Sequence, residues 1–233
     1  MAALAMAVSA AAAAAQQVDA AGVIQSVDRA VMARVNGIEG YIVEEHYAVY
    51  RNHDETHPVA EMTVKTTYRK ETGKNYEILS ESGSTVIRKF VLGAILDNEK
   101  HINEPGVREG AWFVSANYDM KAKTGQIEKI DGRDCVVLTI APKRKTPYLI
   151  DGTIWVDAKD GTIVQVEGQS SKSPSMFTGP TQLSRQYTNI DGFSEATHAR
   201  AVSNSALFGE TVVKIDYSGY QIELRAEHPA GGK

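Results

Sequence analysis

Ala60-Glu-Met-Thr-Val-Lys-Thr-Thr-Tyr-Arg69 alternates in character residue by residue: Ala60, Met62, Val64 and Tyr68 fall on one face of an extended chain, and Glu61, Thr63, Lys65 and Arg69 on the other. A period of two with one dry face and one wet face marks a strand of an antiparallel sheet. Upstream, Gly40-Tyr-Ile-Val-Glu-Glu-His-Tyr-Ala-Val-Tyr50 is rich in β-branched and aromatic residues and predicts its neighbour, joined through a polar loop containing Pro58.

Before these strands the period is different. Val23, Val27, Val31 and Val35 recur every four residues from Asp19 to Ile38, Ile24 and Met32 widen the stripe, and Gly37 stands near its end. That is an amphipathic helix with a glycine stop. After the strands, Ser84-Thr-Val-Ile-Arg-Lys-Phe-Val-Leu-Gly-Ala-Ile-Leu96 puts Val86, Phe90 and Ala94, with Ile87, Val91 and Ile95 beside them, on one broad face. We read a second helix capped by Ser84, although its β-branched residues also suit a strand.

From there to the end strand signals recur, punctuated by Asp131-Gly132, Asp151-Gly152, Asp160-Gly161 and Asp191-Gly192, pairs that supply the positive φ of tight hairpin turns. Thr153–Asp157 with Thr162–Glu167, and Ala196–Asn204 with Thr211–Tyr217, read as hairpins, and a meander follows from the short connections. The expected fold class is mainly β (α+β): a curved antiparallel sheet, or incomplete barrel, with an N-terminal and a mid-chain helix covering its concave face. We expect one domain over residues 23–233, with cavity space wherever helices and sheet do not fully meet.

Residues 1–22 stand apart. Met1–Ala15 is almost wholly alanine with Leu4, Met6 and Val8, uncharged before Asp19, and ends in a small-residue junction after Ala15. It reads as the apolar part of a signal peptide or as a disordered, Ala-rich tail or short helix, and it falls short of the ~20 residues of a membrane span.

A net charge of −4 in 233 residues argues against a nucleic-acid partner, and 42% hydrophobic residues suffice for a substantial core. Catalytic signatures are missing. Cys135, in the apolar Asp134–Ile140 run with no local base, reads as a buried thiol rather than a nucleophile. His53 and His57 have the i, i+4 spacing of a metal pair, but Pro58 and flanking strands deny them a helix, so a solvated loop is expected. Asp157 and Asp160 fit a hairpin turn better than a calcium loop. Pro142-Lys-Arg-Lys-Thr-Pro147 is a solvated basic loop or a docking point for an anionic head group. No cofactor, catalytic residue or metal is expected.

What remains is large apolar side chains near strand ends and loops: Trp112, Phe113, Trp155, Met176, Phe177, Phe193, Leu207 and Phe208. Core packing explains each singly; together they also outline a binding surface, with Met176-Phe177 as a pocket rim.

The order of these elements, with Asp151-Gly-Thr-Ile-Trp-Val-Asp157, Gly161-Thr-Ile-Val-Gln-Val-Glu-Gly168 and Tyr187-Thr-Asn-Ile-Asp-Gly-Phe193, resembles the outer-membrane lipoprotein-sorting (LolA/LolB-like) superfamily over roughly residues 23–222. The resemblance implies a periplasmic, non-enzymatic, monomeric carrier: an incomplete barrel with a helical lid over a cavity for acyl chains. It implies a lipid or lipidated protein as partner, and a docking protein of the inner or outer membrane. Ligand-binding candidates on this reading are Phe90, Trp112, Trp155, Met176, Phe177 and Phe208, with Arg69 in the position of the family's lid-closing arginine. The alternative is an envelope protein-interaction or stress-sensing module whose core is filled by its own side chains.

Overall fold

The computed structural model describes residues 19–173 and 179–226. Helix α1 (Ala20–Gly37) leads into strands β1 (Ile38–Arg51), β2 (Ala60–Arg69) and β3 (Gly73–Gly83). A continuous helical segment follows, made of α2 (Thr85–Ile87), a π-helical turn (Arg88–Leu92) and α3 (Gly93–Ile102). Seven strands complete the chain: β4 (Tyr118–Ile130), β5 (Arg133–Pro142), β6 (Ile150–Asp157), β7 (Ile163–Ser170), β8 (Gln182–Ile190), β9 (Phe193–Ser205) and β10 (Gly209–Leu224).

All ten strands form one antiparallel sheet in the order β3-β2-β1-β10-β9-β8-β7-β6-β5-β4. Two meanders are thus joined where β1 pairs with β10, with Tyr47 opposite Ile215 and Val49 opposite Val213. The sheet does not close. Its free edges are β3 and β4, and the connection between them carries the helical segment, which packs on the concave face.

Strand alternation assigns the faces. In β1 the odd-numbered Val43, Tyr47 and Val49 are buried, and through the registers they share a face with Met62 and Val64 of β2, Val213 and Ile215 of β10 and Ala199 of β9. Ile87, Leu92 and Leu96 of the helical segment complete this cluster. A second cluster fills the other end of the same concave face: Val27 of α1 packs with Leu138, Ile140, Ile154, Val156 and Val166, and Val23, Ile24 and Val31 join from the helix stripe. Asp28 fixes α1 by accepting from the backbone N–H and hydroxyl of Ser115, at 2.7 and 2.6 Å.

The strand spans agree closely with the sequence reading, and Ser84 caps the helical segment by accepting from the Ile87 N–H. Two expectations need correction. First, Asp151-Gly152 is no turn: it lies inside β6, opposite Gly168 of β7, and a Cβ on Gly152 would run into the Glu167 carbonyl. The glycine pair lets two neighbouring backbones approach closely, a use of glycine that sequence does not separate from turn formation. At Asp131-Gly132 and Asp191-Gly192, by contrast, both residues have positive φ, as hairpin turns require. Second, the helical segment runs on to Ile102 and buries Ile87, Leu92 and Leu96, while Val86 and Phe90 are exposed. The π-helical turn at Arg88–Leu92 sets the spacing of the buried face at five residues, from Ile87 to Leu92, which leaves Phe90 outside it; Val86 precedes that turn and lies on the outer side of the first helical turn. The helix expected between Asp19 and Ile38 is α1, at Ala20–Gly37; the leader-like Met1–Ala15 lies outside the described residues.

Two substitutions test this packing. Gly152→Val should lower unfolding free energy by roughly 3 kcal/mol, the upper range of overpacking, and Leu92→Ala by about 2–5 kcal/mol, both read from urea denaturation. An unchanged midpoint for Gly152→Val would show that β6 and β7 do not approach as described.

Candidate functional site

Between the two apolar clusters the concave face turns polar. Alternation places Glu45 on the buried side of β1 between Val43 and Tyr47, Lys74 and Tyr76 on the matching side of β3, Tyr217 on β10 and Arg185 on β8. Glu99 reaches the same place from α3, where it follows Leu92 and Leu96 along one helical stripe. Lys74 Nζ stands 3.1 Å from Glu99 and 3.9 Å from Glu45; Arg185 stands 3.9 Å from Glu99. The Tyr47 hydroxyl donates to Glu45. Glu99 therefore ties the helical segment to strands on both sides of the sheet, with four strands between β3 and β8.

The electrostatics follow from burial and pairing. Burial pushes the Glu99 carboxyl up, but Lys74 and Arg185 outweigh that and hold it below the usual carboxylate range. Burial pulls the Lys74 ammonium down, and Tyr41, Glu99, Tyr76 and Glu45 together more than reverse it. Burial raises Tyr76 and Tyr217 above the ordinary phenol. Glu45 is 1% exposed, yet its Oε1 has no hydrogen-bond partner among the described residues; the same holds for the Tyr76 hydroxyl and Arg185 Nε.

A second buried pair adjoins this cluster. Arg34, near the end of α1, binds Glu195 of β9 through two bonds of 2.7 Å, and its guanidinium lies 6.0 Å from the Tyr41 ring. Tyr41 in turn stacks on Tyr68 at 5.0 Å. Each helical cover of the concave face is thus fastened to the sheet by acid–base contacts, α1 by Arg34 with Glu195 and the helical segment by Glu99 with Lys74 and Arg185 and by Arg88 with Glu81.

The residues singled out from sequence are scattered. Phe208 packs at the margin of the cluster under the helical segment, its ring 5.7 Å from the Arg51 guanidinium. Phe113 packs against the α1 cluster and stacks on Tyr118 at 5.5 Å, while Trp112 is half-buried in the loop before β4 and accepts from Asn117 through its backbone carbonyl. Phe90 is 59% exposed on the outer side of its helix. Trp155 stands between the interior residues Ile154 and Val156 and so points outward, its indole N–H donating to Glu128 at 2.7 Å. Arg69 also points outward and pairs with Glu223. Phe90, Trp155 and Arg69 therefore do not line the interior; the cations that face the helical segment are Lys74 and Arg185. Met176 and Phe177 lie outside the described residues.

The other motifs resolve simply. Cys135 is buried and burial raises its thiol pKa, as an inert cysteine requires. His53 and His57 sit in an exposed loop, paired with Glu210 at 2.8 Å and Asp54 at 3.0 Å. Among the described residues no three His, Cys, Asp or Glu side chains converge to hold a metal. A hollow of about 390 Å³ opens on the outer face over Gly152, Gly168 and Leu183, walled by Glu167, Ser184 and Arg200, and is polar rather than apolar. Among the described residues no helix is long and apolar enough to cross a membrane.

An open antiparallel sheet whose concave face is covered by helices is the class of fold found here. The chain is similar to a LolA superfamily protein from Nitrosomonas europaea (13% identity, 88% of this chain and 94% of that one, TM-score 0.46). It is also similar to a DUF1329 family protein from Desulfovibrio piger (14%, 88% and 93%, 0.45) and to a domain described as an outer membrane lipoprotein-sorting protein from Vibrio parahaemolyticus (13%, 84% and 91%, 0.46). No family model and no curated protein matches the chain.

Glu99 has a lower pKa in the folded chain than in the unfolded one, so its contribution to stability is complete above the unfolded carboxylate value of about 4.3 and is lost as pH falls through its folded value. Glu99→Gln should therefore destabilise the protein most at neutral pH, with the gap to the parent closing on acidification. Urea titrations across the acid range check this; a pH-independent gap would mean that Glu99 is not held ionised by Lys74 and Arg185.

Proposed function

We propose that the protein is a binding protein or carrier of the bacterial envelope that shelters an acyl chain between the concave face of its sheet and the helical segment at 85–102. The observation that carries this reading is the packing of that segment, through Ile87, Leu92 and Leu96, over the apolar concave face of an open sheet: a cover that is not a strand of the sheet can swing aside without breaking it. Side chains drawn from both sides of the opening form the apolar surface so exposed, among them Leu92 and Leu96 above and Tyr47, Met62 and Ile215 below. Burial of an alkyl chain there stabilises a complex by about 0.8 kcal/mol per methylene, without chemistry. The Ala-rich start, read as an export signal, supports action in the periplasm, and the reading assigns no catalytic step.

A second reading has an observation of its own. Strand β3 is a free edge, Ile78 and Leu79 on it are 52% and 48% exposed, and Val86 and Phe90 are exposed on the helical segment that follows. Such an edge suits strand addition by a protein partner.

Native mass spectrometry of the protein purified from a bacterial envelope, followed by solvent extraction, separates the two. The carrier reading expects a co-purifying acyl lipid, or uptake of one when offered, with occupancy reduced in Leu96→Asp and in the milder Met62→Ala while Phe90→Ala retains it. An apo mass that refuses added phospholipid and acylated peptide would overturn that reading in favour of the protein-docking edge.

A further inference from the structure

Glu45 Oε1, ion-paired with Lys74 at 3.9 Å but without a hydrogen bond, Arg185 Nε and the Tyr76 hydroxyl are three solvent-shielded polar atoms without hydrogen-bond partners among the described residues, gathered around the Lys74–Glu99 pair beside the apolar cluster of the helical segment. Thr66, opposite Tyr76 in the β2–β3 register, adds a further unpartnered hydroxyl. Buried polar atoms are ordinarily satisfied, and a group of them facing one place requires a polar guest or ordered water. The charge of the cluster narrows the choice. Lys74 and Arg185 balance Glu45 and Glu99, so no cation is in surplus, and an anionic guest would bring an uncompensated charge into a site removed from water.

We propose that this cluster is a head-group pocket for an uncharged, hydroxyl-bearing acyl lipid of the monoacylglycerol class. The inference rests on the acyl-carrier reading and adds selectivity to it. The guest's hydroxyls donate to Glu45 Oε1 and accept from Arg185 Nε, Tyr76 bridges on either side, and the chain runs along Leu92, Leu96 and Met62. A free fatty acid with the same chain gains the same apolar contacts but sets its carboxylate against Glu45 and Glu99.

The test compares monooleoylglycerol with oleate at neutral pH, both below their aggregation thresholds, by calorimetric titration of the full chain. The expected result is at least tenfold tighter binding of the monoacylglycerol, a preference that shrinks several-fold in Tyr76→Phe, a variant that removes one unpartnered hydroxyl and leaves the ring. Glu45→Gln, measured alongside, should raise oleate affinity relative to the parent. Equal or tighter binding of oleate by the parent, or an undiminished preference in Tyr76→Phe, would overturn the head-group assignment while leaving the acyl-carrier reading standing. Binding of neither lipid would overturn both.

Discussion

The ion pairs of Glu99 with Lys74 and Arg185 join a helix to two strands that stand far apart in the sheet order, and the rest of the interior is arranged around them. A carboxylate in this position could not remain charged alone, since desolvation by itself drives it towards protonation. Held ionised by two cations, it fastens the cover over an apolar cluster that the sheet begins and the helix completes. Removal of one member leaves a buried charge without its partner, which commonly costs about 3–5 kcal/mol, whereas well-packed apolar replacement of a whole pair is often neutral. Retention of charge where leucine would serve stability equally well is consistent with a role in specificity or opening rather than in holding the fold.

The two covers differ in how they are built. Helix α1 is long, its valine stripe packs into the cluster built by β4 to β8, and it is further tied by Asp28 to Ser115 and by Arg34 to Glu195. The segment at 85–102 is broken by a π-helical turn and buries three side chains. The two covers do not differ in having few buried side chains, since α1 buries Val27 and the mid-chain segment Ile87, Leu92 and Leu96; the break in regular α-helical hydrogen bonding at the π-helical turn is what marks the mid-chain segment as the cover that opens.

Much of the architecture was legible in the sequence because the physics that fixes it is local: alternation defined β2 to the residue, the valine stripe defined α1, and Ser84 marked the start of the helical segment. The interior site was not found, although its signal was present. Carrying the alternation of Tyr41, Val43, Tyr47 and Val49 through Glu45 places a carboxylate on the dry face, and the stripe Leu92, Leu96 leads to Glu99 at the next turn. For the aromatic residues local pattern fails: Trp155 is as apolar as its interior neighbours but one residue out of phase with them, and Phe90 is turned outward by a π-helical turn that no propensity predicts. Arg69 followed the resemblance rather than its own strand parity, which already put it outside.

Hydrogen–deuterium exchange of the full chain, with and without an added acyl lipid, tests the account most directly. The account predicts that amides of residues 85–102 exchange faster than those of α1 in the free protein and that lipid alters exchange chiefly there and in the strands beneath, β1, β2 and β10. Exchange in 85–102 as slow as in α1 and indifferent to lipid, or lipid-dependent change confined to the outer face around Gly152 and Arg200, would contradict it.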